Sequence, residues 1–310
     1  MTLAPATDTA ILEALLSAEP VLAADLPEWW QRSAGARHAA LGIDRALLAG
    51  VTADRLGFAF AGGYDAALRA LFTGLDPVPT CLCASEEGGN HPRAIQTRLE
   101  SRGEGFVLDG EKRWATLGPL AEQALVVAKT GEREGKSQLV VVRVALPGQG
   151  IEVAAMPETP FVPEVPHATI RFRDAAVEAS QVLPGDGYAR YLKPFRSIED
   201  LHVHAALLGY LLGVARRSGW PASRVERLLA LVGSARDLRD RDPLAPATHL
   251  ALAGLLAETE AFVQDAEPLW AQVDAAEARR WERDRPLLSV AGKARQARQK
   301  RAREHFGLPE

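Results

Sequence analysis

The stretch GEKRWATLG, Gly110–Gly118, places an indole and a hydroxyl two residues apart behind a charged turn, in a chain with only 6% aromatic residues. In an extended strand Trp114 and Thr116 share one face. On spacing alone such a pair reads as two ordinary partners in a half-buried strand. Other chemistry is sparse. No GxGxxG opens a helix after a strand and no P-loop occurs, which leaves those modes of nucleotide binding unsupported. No GxSxG elbow is present. His202 and His204 lie two apart in a helical stretch and point to different faces, so no shared metal site is expected. Cys81 and Cys83 are too close along a strand for an unstrained bridge and too few for zinc, and read as buried thiols.

These residues need a scaffold, and the periodicity of the chain supplies one. From Ala10 to Phe72 apolar residues recur at spacings of three and four, as in Ile11 and Leu15, which predicts helices. Gly74 to Pro79 break the pattern. Short strands follow at Thr80–Ala84, Gly105–Leu108, Arg113–Thr116, Ala124–Lys129, Ser137–Ala145 and Ala168–Phe172, with Asp109–Gly110 as a tight turn. Regular strands with polar turns read as a sandwich or barrel. After PGDG at Pro184–Gly187 the pattern is helical again. Ser197 with Asp200 resembles a capping box opening a helix, and Ala205–Ala215 carry no charge, as in a helix buried on every side. The expected fold is α+β: a helical N-terminal region (1–76), a central antiparallel β domain (77–186) and a C-terminal helical bundle (187–310).

With 310 residues, 47% hydrophobic and 25% charged, the chain is long enough for a substantial core. No apolar run approaches the ~20 residues of a membrane span, and no basic flank precedes the first apolar stretch, so a cytoplasmic protein is expected. The net charge of -4 conceals an asymmetry: Arg279–Arg303 holds ten Lys and Arg against Glu282 and Asp284, leaving +8 there and -12 elsewhere. That run fits either a solvated helix face or a phosphate-binding surface, and its single aromatic, Trp281, speaks against nucleic acid.

The run Ala84–Thr130, ASEEGGNHPRAIQTRLESRGEGFVLDGEKRWATLGPLAEQALVVAKT, resembles the acyl-CoA dehydrogenase family. That family's middle domain carries a Thr-Glu-Pro, a Gly-Ser-Asp and a Gly-x-Lys-x-Trp-Ile-Thr in this order, and Thr97–Thr116 keeps the spacing without a gap. Val182–Gly209 is similar to the family's Leu-Gly-x-x-Gly and the helix after it. The resemblance implies an FAD-dependent oxidation of an acyl thioester, with Trp114 packed near the flavin, Thr116 bonded close to its reactive nitrogen and Ser85 in place of a Thr near the pyrimidine oxygen. Family members remove the proton α to the thioester carbonyl with a carboxylate, whose pKa must approach neutrality. In some members that Glu opens the buried helix after the strand domain, and Glu199 occupies this position; an acid in a first turn also serves the helix dipole.

The departures are as specific as the matches. Gly-Ser-Asp becomes Gly89–His91, so Asn90 stands where a Ser meets the acyl side. The family's Arg-x-x-Phe-Gly, which meets the FAD diphosphate across a subunit contact, has no clear equivalent in SGWPASRVERL. The implied partners are an acyl thioester and either a second copy or a related chain. The alternative is a non-catalytic member of the fold that binds an acyl carrier, a nucleotide or a partner subunit.

Overall fold

The three-and-four spacing before Phe72 resolves into five helices in the computed structural model, which describes residues 8–89, 91–290 and 292–309: α1 (Asp8–Ser17), α2 (Leu26–Arg32), α3 (Ala34–His38), α4 (Gly42–Val51) and α5 (Leu56–Leu71). Asp25 caps α2 by accepting the Glu28 N–H at 2.9 Å, with Pro27 in the first turn. Seven strands follow: β1 (Thr80–Cys83), β2 (Arg98–Arg102), β3 (Gly105–Thr116), β4 (Gln123–Arg133), β5 (Lys136–Ala145), β6 (Ile151–Ala155) and β7 (His167–Val177). Then come α6 (Lys193–Arg217), α7 (Ala222–Asp237), α8 (Pro246–Ala266), α9 (Ala275–Asp284) and α10 (Gly292–Phe306). The helix–strand–helix order is the one the sequence predicts.

Two units divide the chain. The helical unit comprises the described residues up to Leu71, residues 160–164 and those from Ser197 onward; the strand unit comprises 72–159 and 165–196. In the strand unit a single sheet runs β1-β4-β2-β3-β7-β6, with β5 paired to β4. Most pairings are antiparallel, and β1 pairs β4 in parallel. The inward residues alternate along each strand, as in Ala124, Val126 and Ala128 of β4 and Ile170 and Phe172 of β7, and they close one core. Cys81 and Cys83 belong to it as free, buried thiols.

One predicted turn proves to be something else. Asp109–Gly110 lies inside β3, where the register against β7 shifts between Leu108 and Gly110. The reversal comes earlier, at Gly103–Glu104, since Arg102 pairs with Gly105. Gly110 has φ 143°, and a Cβ there would meet the Thr97 Cα at 2.6 Å. The glycine therefore lets β3 pass β2 closely at a bulge instead of ending a strand. By contrast, the polar loop between β4 and β5 tightens to Glu134–Gly135, both at positive φ, as a two-residue hairpin requires.

The predicted capping box is also displaced. Asp186 accepts the Tyr188 and Ala189 N–H groups, a π-helical turn spans Gly187–Leu192, and α6 begins at Lys193. Ser197 is thus inside the helix, where its hydroxyl lies 3.3 Å from His249 Nε2. The helical stretch Gly187–Arg217 is long and apolar enough, by length and composition, to cross a membrane, which corrects the expectation of no such run; 83% of its apolar window is buried within the fold, as in a core helix.

Within the helical unit, α4 and α6 approach at glycines. A Cβ on Gly50 would lie 1.9 Å from the Ala206 carbonyl oxygen, and one on Gly209 would lie 2.3 Å from that of Leu47. Backbone cannot yield as a side chain can. Gly50→Ala and Gly209→Ala should each destabilise by about 1–3 kcal/mol, read as a lower unfolding midpoint. Melting like the parent in both would show that the two helices are free to separate. Nearby, Asp65 of α5 gathers three arginines: Arg45 Nε at 3.2 Å, Arg69 Nε at 2.9 Å and Arg37 Nη1 at 3.8 Å.

Candidate functional site

Lys112 pairs with Ile170 and Ala115 with Ala168, so Arg113 and Trp114 together oppose Thr169 alone. This bulge breaks the two-residue alternation of β3. Lys112 is fully buried, Trp114 is 52% exposed, Ala115 is fully buried and Thr116 is half-buried. In a flat strand Lys112 and Trp114 would share a face; here the extra residue sends the ammonium inward and the indole outward. Trp114 holds φ 57°, a left-handed conformation that costs a bulky residue about 1–3 kcal/mol. A strained, solvent-facing tryptophan on a bulge is a feature that packing alone does not reward.

Ser85 is brought to the same place. Its carbonyl accepts the Arg113 N–H at 2.8 Å, which ties the loop after β1 to the bulge. The next residue anchors that loop from within: Glu86 accepts the Lys112 ammonium at 2.7 Å, the Gln96 N–H at 2.7 Å and the Thr97 N–H at 3.0 Å. Burial alone would raise the Glu86 pKa, but Lys112 and the two N–H groups hold it below the ordinary 4.5. The same burial lowers the Lys112 ammonium from 10.5, against the pull of Glu86.

His167 forms the other flank. It pairs with Thr116, and its ring meets the Trp114 indole edge-on with centroids 5.7 Å apart. Burial pushes the imidazole below 6.5, opposed by a hydrogen bond to the Val165 carbonyl, so it is neutral at pH 7. Glu86, Lys112 and His167 were not singled out from the sequence. Lys112 and Glu86 each carried a signal, as the Lys of the Gly-x-Lys-x-Trp-Ile-Thr pattern and as the residue after Ser85 in the Thr-Glu-Pro pattern; His167 carried none.

Ser85, Trp114 and Thr116 are thus neighbours in the strand unit. Glu199 belongs to the helical unit, half-buried in the second turn of α6 and not at the helix start. Its neighbour Asp200 is held by Arg295 and Arg298 of α10. Asn90 lies outside the described residues. Among the described residues no group of three or more His, Cys, Asp or Glu is arranged to hold a metal. His202 bonds to the Ile198 carbonyl and His204 to the Thr259 hydroxyl; burial lowers their pKa values to about 4 and about 3.

An isoalloxazine ring fits what the strand unit offers: an open indole face with two partly accessible hydroxyls, Ser85 and Thr116, that hydrogen-bond no other described residue. The segment after α6 offers less to a diphosphate, because Arg224 and Arg227 are both engaged by Asp265.

Residues 81–175 match the acyl-CoA dehydrogenase middle domain. The acyl-[acyl-carrier-protein] dehydrogenase MbtN of Mycobacterium bovis is 34% identical over 83 residues, covering 26% of this chain. The match spans 20% of the length of that relative, and the same holds for its Mycobacterium tuberculosis counterpart. Among solved structures, an FAD-dependent dehydrogenase superposes with a TM-score of 0.74 at 14% identity, covering 100% of both chains. The prolyl acyl carrier protein oxidase AnaB gives 0.70 at 13% identity over 97% of each. The fold is therefore that of the acyl-CoA dehydrogenases. The sequence likeness to their middle domain is confined to residues 81–175, the strands that carry Trp114.

Proposed function

We propose that the protein is an FAD-dependent oxidoreductase that removes hydrogen from the α and β carbons of an acyl thioester. The observation that carries this reading is Trp114, held exposed at φ 57° on a bulge beside Thr116 and Ser85. When bound, FAD would supply the two-electron acceptor. The chain's part is to give the ring a wall at Trp114, to offer hydroxyls at Ser85 and Thr116, and to hold the Ser85 loop in place through Glu86 and Lys112. Glu199 is the proposed base for the α-proton. Since MbtN and AnaB are named for carrier-protein substrates, the proposed thioester is borne by a carrier domain. Assembly with a second copy or a related chain is part of the proposal.

The first test is the absorption spectrum of the purified protein with and without added FAD. Flavin bands near stoichiometry support the reading; a colourless protein indifferent to FAD removes it and favours the non-catalytic alternative. A sharper test uses Trp114→Gly. Relief of the left-handed strain should leave the flavin-free protein as stable as the parent, or more stable by up to about 1 kcal/mol. Loss of the indole wall should weaken FAD binding by about tenfold. A variant that loses stability and keeps FAD would mark Trp114 as a packing residue. Glu199→Gln should abolish flavin reduction by a thioester while FAD stays bound; reduction at the parent rate would exclude Glu199 as the base.

A further inference from the structure

The flavin site leaves the basic run 279–303 unexplained. Its first half is compensated internally. Arg283 binds Glu164 and Asp284, and Arg285 binds Glu267 and Glu282. Trp281, the one aromatic in the run, is 2% exposed and stacked on Trp270 at 4.6 Å. α10 differs. Its inner side is fixed by Arg295 and Arg298 on Asp200 and by buried Ala302. Its outer side exposes Lys293, Lys300, Arg301 and one acid, Glu304. Lys293 and Arg301 form no ion pair among the described residues. Val290, three residues before Lys293, stands open at 64%, and Leu308 just past the helix end at 50%, whereas Phe306, four residues after buried Ala302, continues the inner side.

Cations beside exposed apolar anchors form the pattern of a protein interface, in which apolar groups supply affinity and the charges select the partner. Nucleic acid fits less well. The helix is 15 residues, about 22 Å long, and no stacking aromatics are interleaved with its cations. We infer that the outer face of α10, with Val290 and Leu308 at its two ends, docks an acidic carrier domain that presents the acyl thioester on its pantetheine arm. This inference rests on the proposed function, from which the thioester and the carrier are taken.

The test pairs two substrates and one binding measurement. The same acyl group is offered on an acidic acyl carrier protein and on free pantetheine, and carrier binding is measured separately by calorimetry. A Lys293→Glu/Arg301→Glu double variant, and Val290→Asp on its own, should each weaken carrier binding and lower kcat/KM for the carrier-borne thioester by about tenfold. Turnover of the pantetheine thioester should stay at the parent level, and added salt should reproduce the effect of the double variant. Unchanged carrier binding in both variants overturns the inference, as does an equal loss on both substrates. A parent protein that binds duplex DNA and ignores the carrier overturns it too. If neither thioester is oxidised while the variants still lose carrier binding, the docking surface stands and the oxidation reading falls.

Discussion

Lys112→Met will destabilise the protein by about 3–5 kcal/mol, because it strands a buried carboxylate. Glu86 is 9% exposed and Lys112 fully buried, so solvent cannot take the place of the ammonium. The loss should not stop at stability. Glu86 follows Ser85, and Lys112 lies two residues before Trp114, so the pair clamps the Ser85 loop to the bulge. The variant should therefore bind FAD more weakly than its residual fold predicts. Glu86→Gln/Lys112→Met should recover part of the stability, since no unpaired charge remains. The pH dependence has a definite sign. Glu86 titrates below its ordinary 4.5 in the folded state, so its contribution is present above that value and is lost as pH falls through the lowered one. Denaturant midpoints from pH 7 downward should converge for parent and double variant. A Lys112→Met protein as stable as the parent at pH 7 would show that the Gln96 and Thr97 N–H groups alone hold the carboxylate.

Ser85, Trp114 and Thr116 were legible as a candidate group because they lie within one segment, residues 84–130, whose pattern is distinctive. What the sequence concealed was the backbone at Trp114. Nothing in KRWAT announces a bulge, and period-two reasoning puts Lys112 and Trp114 on one face, whereas the register against β7 puts them on opposite ones. Asp109–Gly110 misled for a related reason: a glycine at positive φ serves a turn or a bulge equally, and only the closeness of Thr97 decides. Ser197–Asp200 looked like a helix start because the residues fit a cap, but Asp186 had already capped the chain eleven residues earlier than Ser197. The order of elements was legible because it depends on periodicity over tens of residues. The ion pairs were not, since Glu86 and Lys112, or Asp65 and Arg37, meet only after the chain has folded back.

Asp65→Asn should prove as damaging as Lys112→Met, at about 3–5 kcal/mol, although it lies in the other unit. The carboxylate is 2% exposed, and the arginines around it, Arg37, Arg45 and Arg69, are 1%, 9% and 16% exposed. Three cations on one anion already leave an excess of positive charge, and burial lowers the Arg37 pKa to about 10. Without Asp65 the whole excess is uncompensated. The Arg37 guanidinium lies over Trp30 at 4.1 Å, a contact worth about 0.5–2 kcal/mol, which is too little to offset the lost ion pairs. Added salt should not rescue the variant, because screening acts weakly on buried charges. Asp65→Asn/Arg45→Met should regain part of the loss by removing one stranded guanidinium. If Asp65→Asn alone melts like the parent, the carboxylate is dispensable to the arginine cluster.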